Sequence, residues 1–480
     1  MTDIAPEVPG AKRPTAKTYP HIGVIPFVVL LGLIIAGDQL LWGIVPGIAF
    51  PIYILLIAAA AQAFTFQHTK TITALTAWAV LLAALLPAVD VIHPVSLAFA
   101  IGGALGFVGI MLGEHGRSAA FAALRFPFYG AISIGVDAVS IAKQPAHPRL
   151  GTFADSMRDW IIPAGLGITF GGLLLIANPV LEQWVVELFS FGTFSLPSAA
   201  RALFWGGLAL LIWPFLRLTA LRGSLTRPVP DAKAFGQVWY LTPRSVGRAL
   251  ILFNLLFAAQ SVTDLAILWG GASLPDGMTY ANYAHRGAYP LLVAALLAGG
   301  FAMLSQPFLS GRPILRVLLL IWVGQTALLV GSSMLRLDLY IDAYSLTRLR
   351  FAAFVWMGVI GGGLVLMIWQ LMRGFGPGWL IMRAAELGVI TLYACSFINV
   401  DGLVARHNLS DNPYEIDAYY MCRLGEGAVV AIAQADARQT WSICGRDFGP
   451  KLSTPTDWRE WGYRNARLRS KLTQITGAIQ

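Results

Sequence analysis

Charge is scarce in this chain. Of its 480 residues only 12% are Asp, Glu, Lys or Arg, where a soluble domain carries about 25%. A conventional water-facing surface over the whole length is thereby excluded. Cysteine is almost missing as well, with three residues, which rules out a disulfide-dense secreted scaffold. The familiar catalytic signatures are also wanting. There is no Walker-type phosphate loop, no His-Glu-x-x-His zinc motif, no Gly-x-Ser-x-Gly elbow, no CxxC and no kinase or dinucleotide fingerprint. The seven histidines are scattered, so neither a metal nor another cofactor is indicated. No inverted pair of broken helices marks a known secondary-transporter plan.

What the chain has instead is apolar length. Hydrophobic residues make up 56% of it and the mean hydropathy is +0.66. Apolar runs near twenty residues recur from about residue 23 to about residue 400, as at 246–270, 350–372 and 379–400. A bilayer core about 30 Å thick needs roughly 20 residues of helix to cross it. The fold class is therefore all-α, a polytopic transmembrane bundle. About eleven spans are expected, near 22–44, 49–66, 71–91, 94–113, 160–178, 199–221, 246–270, 287–308, 313–335, 350–373 and 378–400. The stretch 180–198, with Glu182, Trp184 and Glu187, reads as interfacial. The transmembrane domain occupies 21–400, behind a polar, Pro-rich arm at 1–20 that reads as disordered and cytoplasmic.

The formal charge is +9. Nucleic acid is not the implied partner, because basic residues gather on cytoplasmic loops by the positive-inside rule. With the amino terminus inside, the inner loops hold Lys70, Arg117, Arg125, Lys143, Arg149, Arg158, Arg222, Arg227, Lys233, Arg244, Arg312, Arg316 and Arg373. This predicts a multi-pass membrane protein with its tail, 401–480, on the outer side. The long inner loop 114–159 is amphipathic, with Phe121, Leu124, Phe128, Ile132 and Val136 at helical spacing. It is expected to lie in the bilayer interface, with a docked protein partner as the alternative. The tail changes composition abruptly and reads as a small soluble cap. Its Cys422 and Cys444 fit a disulfide if it lies in an oxidising compartment, while two reduced thiols are the alternative.

Ionisable groups inside spans usually face the bundle interior and have partners. Asp38 lies near the outer end of the first span, and Asp264 near the outer end of the seventh, with Gln260 one turn earlier on the same face. In the ninth span Gln325, Ser332 and Arg336 share a face. Two outer loops add Tyr283, His285 and Arg286, then Asp338, Tyr340, Asp342, Tyr344 and Arg350. Arginine offers a planar fork for carboxylate or phosphate, and histidine titrates near neutral pH. Asp38, Gln260, Asp264, Tyr283, His285, Arg286, Arg336, Asp338, Tyr340, Tyr344 and Arg350 are therefore the candidate binding residues. The bland alternative is equally physical. Tyr collects at membrane interfaces, and Arg336, Asp338, Asp342 and Arg350 can pair among themselves and fix helix ends. Arg383 and Glu386, three apart, read as a local ion pair.

The two outer loops also carry a resemblance. Leu274-Pro-Asp-Gly-Met-Thr-Tyr280, Tyr283-Ala-His-Arg-Gly-Ala-Tyr-Pro290, Leu337-Asp-Leu-Tyr340 and Tyr344-Ser-Leu-Thr-Arg-Leu-Arg350, with Asp38 and Trp42, resemble the bacterial membrane family catalogued as domain of unknown function 4173. That resemblance implies a polytopic inner-membrane protein and supplies no activity or catalytic residues. Three functions stay open at this level. The first is permease-like binding or transport of a small polar or anionic solute through a periplasm-facing site. The second is an enzyme acting on an envelope or lipid-linked substrate, with Asp38 or Asp338 as base. The third is a sensor or assembly scaffold that binds protein partners through 114–159 or 401–480.

Overall fold

The computed structural model describes residues 24–65, 70–114, 116–143, 198–226, 242–266, 293–294, 296–410, 417–438 and 442–479. Every regular element among them is helical. Eight of these helices are long and apolar enough to cross a membrane, and Ile25–Leu41, Ala49–Thr65 and Leu296–Phe308 are shorter apolar helices. The arm 1–20, the span expected at 160–178, the segment 180–198 and the outer loop with Tyr283, His285 and Arg286 lie outside the described residues. The chain forms two compact units, Met1–Ala88 with Ala98–Val229 and Trp458–Glu460, and Val89–Leu97 with Pro230–Asp457 and Trp461–Gln480.

In the first unit α1 is Ile25–Leu41, α2 Ala49–Thr65, α3 Thr71–Asp90, α4 Pro94–Met111, α5 Arg117–Lys143, α6 Ala199–Leu216 and α7 Leu218–Leu225. The end of α3, the start of α4 and the turn between them, Val89–Leu97, belong to the other unit. These helices are apolar nearly all round, so one stripe packs inward and the rest stays exposed. Leu81, Phe107, Ile212 and Leu218 are fully buried, while Val28, Leu31, Leu82, Leu86, Leu210 and Leu211 are exposed. Such exposed apolar surface is stable facing lipid and not water. Gly37 lets α1 approach its neighbours closely. A Cβ there would lie 2.5 Å from the Tyr53 hydroxyl and 2.6 Å from Leu208, and that hydroxyl donates to the Leu33 carbonyl at 3.0 Å. The buried face of α5 carries Ala119, Ala122, Phe126, Ser133 and Asp137. The stripe Leu124, Phe128, Ile132 and Val136 is exposed. Phe126 stacks on Phe215 at 4.8 Å, Gly130 lies under Pro214, and Asp137 reaches Trp213 and Arg217.

In the second unit α8 is Pro243–Asp264, α9 Leu296–Phe308, α10 Pro313–Tyr344, α11 Arg348–Arg373 and α12 Pro377–Ser396. The tail adds α13 Val400–Leu409, α14 Ala418–Cys422, α15 Val429–Asp436, α16 Gly445–Phe448 and α17 Tyr463–Ile479. Local chemistry sets the ends. Thr242 and Ser245 form a capping box on α8. Thr347 caps α11, which stops where Gly374 turns left-handed at φ 74°. At 32 residues, α10 is about 48 Å long, so its last turns rise beyond a bilayer core. There they meet the tail. Asn408 accepts from the Leu346 N–H and donates to the Leu346 carbonyl, both at 2.8 Å. Arg348 pairs with Asp401, and its N–H donates to the Tyr420 hydroxyl at 2.9 Å. Val404, Met421, Leu424 and Ile432 of the tail share one apolar core with α10 and α11. Cys422 is bonded to Cys444, and Cys395 is free.

Candidate functional site

Among the described residues, three polar nodes within the helices are each built on an aspartate and an arginine far apart in sequence. In the first unit, buried Asp38 of α1 is held by Arg201, whose Nε donates to Oδ1 at 2.8 Å, and by the Trp205 indole at 2.9 Å. Arg201 and Trp205 lie one turn apart at the start of α6, which Ser198 caps. At the other end of α6, buried Asp137 of α5 accepts from Trp213 at 3.0 Å and from Arg217 at 3.0 and 3.1 Å. Neither aspartate is left with an uncompensated charge, as burial requires.

The second unit holds the most deeply buried pair. Asp264 ends α8 with its side chain fully buried, and Arg336 of α10, 3% exposed, pairs with it. Gln260 donates to Asp264 Oδ1 at 2.8 Å. Below this node a polar stripe runs along the seam of α8 and α10. Asn254 bridges the seam, donating to the Leu250 carbonyl at 2.7 Å and the Leu318 carbonyl at 3.0 Å. Asn254 Oδ1, Ser261 Oγ, Trp322 Nε1 and Gln325 Oε1 are buried with no hydrogen-bond partner among the described residues. From Asn254 to Asp264 the stripe is about 15 Å long, half the thickness of a bilayer core. Trp322 closes one side of it, packed on Phe253 and Phe257 at 5.1 and 5.7 Å.

Gln260, Asp264 and Arg336 therefore come together. Tyr340, Tyr344 and Arg350 form a second group at the far end of α10, and it is a backbone clamp. The Arg350 guanidinium lies 4.4 Å from the Tyr340 ring centroid and donates to the Tyr344 carbonyl at 2.6 Å and to that of Ser345. Ser345 needs the clamp, because its φ of 67° with ψ 164° is a glycine-like conformation. Arg336 and Arg350 thus spend their bonds on Asp264 and on carbonyls, and Asp338 and Asp342 are exposed. Asp38 lies in the other unit. Arg383 and Glu386 form their local pair at 2.5 Å. Sequence reasoning missed Arg201, Asp137, Arg217, Asn254 and Ser261. The one available signal was an Arg and a Trp four apart at each end of α6, in mirror order. Asp137 gave none, being one charge in a loop that already held several.

The helices and the polar nodes between them define an integral, multi-pass membrane protein. The model of one family, a domain of unknown function (DUF4153), matches residues 52–435, and the chain belongs to that family. It is not the domain of unknown function 4173 that the loop motifs resemble; those motifs are short and built from the aromatic and basic residues that membrane interfaces select in general. Searches of curated proteins and of solved structures find no match.

Proposed function

We propose that this is a permease-like protein of a bacterial inner membrane that binds a small polar or anionic solute at the Asp264–Arg336 node. The supporting observation is a fully buried ion pair at the head of a seam whose amide, hydroxyl and indole groups lack protein partners among the described residues. An intramembrane charge is costly and is kept chiefly for function. The mechanism is an exchange of partners. Without solute, Arg336 is neutralised by Asp264. A carboxylate or phosphate entering the seam competes for the same guanidinium fork, and the polar atoms of Ser261 and Gln325 take up its remaining hydrogen bonds. Asp264 drives release by reclaiming Arg336.

The site faces the end of the unit that carries the tail. A disulfide in that tail supports a periplasmic placement, with the amino terminus cytoplasmic. The outward stripe Leu124, Phe128, Ile132 and Val136 supports an interfacial seat for α5 on the inner side; Ser118–Ala138 is also long and apolar enough to cross, which makes a further span the competing placement. An enzyme would need a general base free to act. Asp38 is engaged by Arg201, which disfavours it in that role, while the exposed Asp338 keeps the enzyme as the second reading.

The test is a panel of labelled small carboxylates and phosphates offered to reconstituted proteoliposomes. For a solute that is taken up, Arg336→Gln abolishes binding. Asp264→Asn retains binding, because Arg336 then has no competitor, and loses transport. Normal transport by inserted Asp264→Asn discards the reading.

A further inference from the structure

The last helix of the tail carries a face that the solute site does not use. α17 contains four basic residues, Arg464, Arg467, Arg469 and Lys471, and no acidic one. Arg464 is committed to structure. It donates to Asp90 at 2.5 and 3.0 Å, to the Ser396 carbonyl at 2.9 Å and to the Ile398 carbonyl at 3.5 Å. Leu468 turns inward and is buried. An exposed face beside it presents Tyr463, Arg467, Ser470, Lys471 and Gln474, which with Trp461 line a groove of about 450 Å³. Arg467, Ser470, Lys471 and Gln474 are all exposed.

We propose that this groove binds the phosphate of an anionic lipid headgroup. Arg467 and Lys471 are one turn apart on one face, so both cations reach a single phosphoryl group. The Ser470 hydroxyl and the Gln474 amide donate to its remaining oxygens. No carboxylate lines the groove to compete. Its height argues for a lipid and not for a free anion. Arg464 ties the first turn of α17 to the carbonyls that end the span Pro377–Ser396 and to Asp90, the last residue of the span Thr71–Asp90. The groove therefore begins where the hydrocarbon ends. Trp461 and Tyr463 sit at that level, where such rings seat among headgroups.

The test uses the full-length protein in nanodiscs of phosphatidylcholine. Binding of short-chain phosphatidylglycerol, short-chain phosphatidylcholine and inorganic phosphate is measured by calorimetry. Phosphatidylglycerol is expected to bind, and Arg467→Gln with Lys471→Gln to weaken it roughly 30-fold, about a tenfold factor per 1.4 kcal/mol with about 1 kcal/mol for each juxtamembrane cation. Arg469→Gln, off the groove, leaves binding within about twofold. Should the double variant fold poorly, a salt titration of the unaltered protein decides, since affinity must fall steeply with ionic strength. Equal binding by the double variant, equal binding of phosphatidylcholine, or salt-independent affinity overturns the proposal. Inorganic phosphate binding as tightly as phosphatidylglycerol overturns the lipid source. None of these outcomes touches Asp264 or Arg336, so this inference and the solute site fail separately.

Discussion

Removing one partner of the Asp264–Arg336 pair is the sharpest perturbation of this structure. Both side chains are withdrawn from solvent, at 0% and 3% exposure. Arg336→Met removes the cation paired with the buried Asp264 carboxylate, to which the Gln260 amide still donates. Breaking a buried pair from one side costs about 3–5 kcal/mol, because an uncompensated charge stays behind. Asp264→Asn strands the guanidinium in the same way. The combined variant, Asp264→Asn with Arg336→Met, removes both charges and recovers to within about 1 kcal/mol of the parent. Two single changes of about 3–5 kcal/mol each and a double variant within about 1 kcal/mol of the parent give a coupling of about 5–9 kcal/mol, with the lower end expected because helices unfolded within a membrane find other polar partners. The assay is equilibrium unfolding by SDS from bicelles on all four proteins. Additivity of the two single changes within about 0.5 kcal/mol refutes the reasoning. The Asp38–Arg201 pair of the first unit is the internal control. Arg201 is 37% exposed, and Arg201→Gln is expected to cost about 1 kcal/mol.

Three further outcomes follow from the tail and its clamp. Asn408→Ala strands the Leu346 N–H and C=O and lowers stability by about 3 kcal/mol, read as a lower melting temperature and faster proteolysis at 345–348. Ser345→Gly relieves a left-handed φ of 67° and stabilises by about 1 kcal/mol; a loss on thermal unfolding contradicts it. Cys422→Ser with Cys444→Ser opens a loop of 22 residues and removes about 3 kcal/mol. In intact cells an impermeant thiol reagent should label the unaltered tail only after reduction; labelling without reduction counts against the bridge, and no labelling after reduction counts against the periplasmic tail.

Much of this protein was readable as a sequence, and particular residues show where the reading stopped. Gln260 and Asp264 could be joined in advance, because four residues on a helix is one turn. Arg336 could be placed on a buried face with Ser332 by the same periodicity. That Arg336 meets Asp264 could not be read, because the contact joins helices 72 residues apart and depends on how α8 packs on α10. Asp38 was visible as an oddity in an apolar run. Its partner Arg201 was hidden, because an arginine at a span end is ordinary and 163 residues separate the two. That Arg350 fixes a helix end was one alternative, but through pairing with neighbouring charges; the Tyr344 and Ser345 carbonyls it clamps gave no signal.

The amino-acid order alone determined that this is an all-α membrane protein. The lengths of its apolar runs and its shortage of charge leave no other solvent than lipid, since a bilayer demands about 20 hydrogen-bonded apolar residues per crossing. Tertiary structure decided which rare charges neutralise one another and which polar atoms line a seam. It also decided that the tail shares the apolar core of α10 and α11. Those outcomes depend on helix-to-helix packing, a long-range property that local periodicity does not encode.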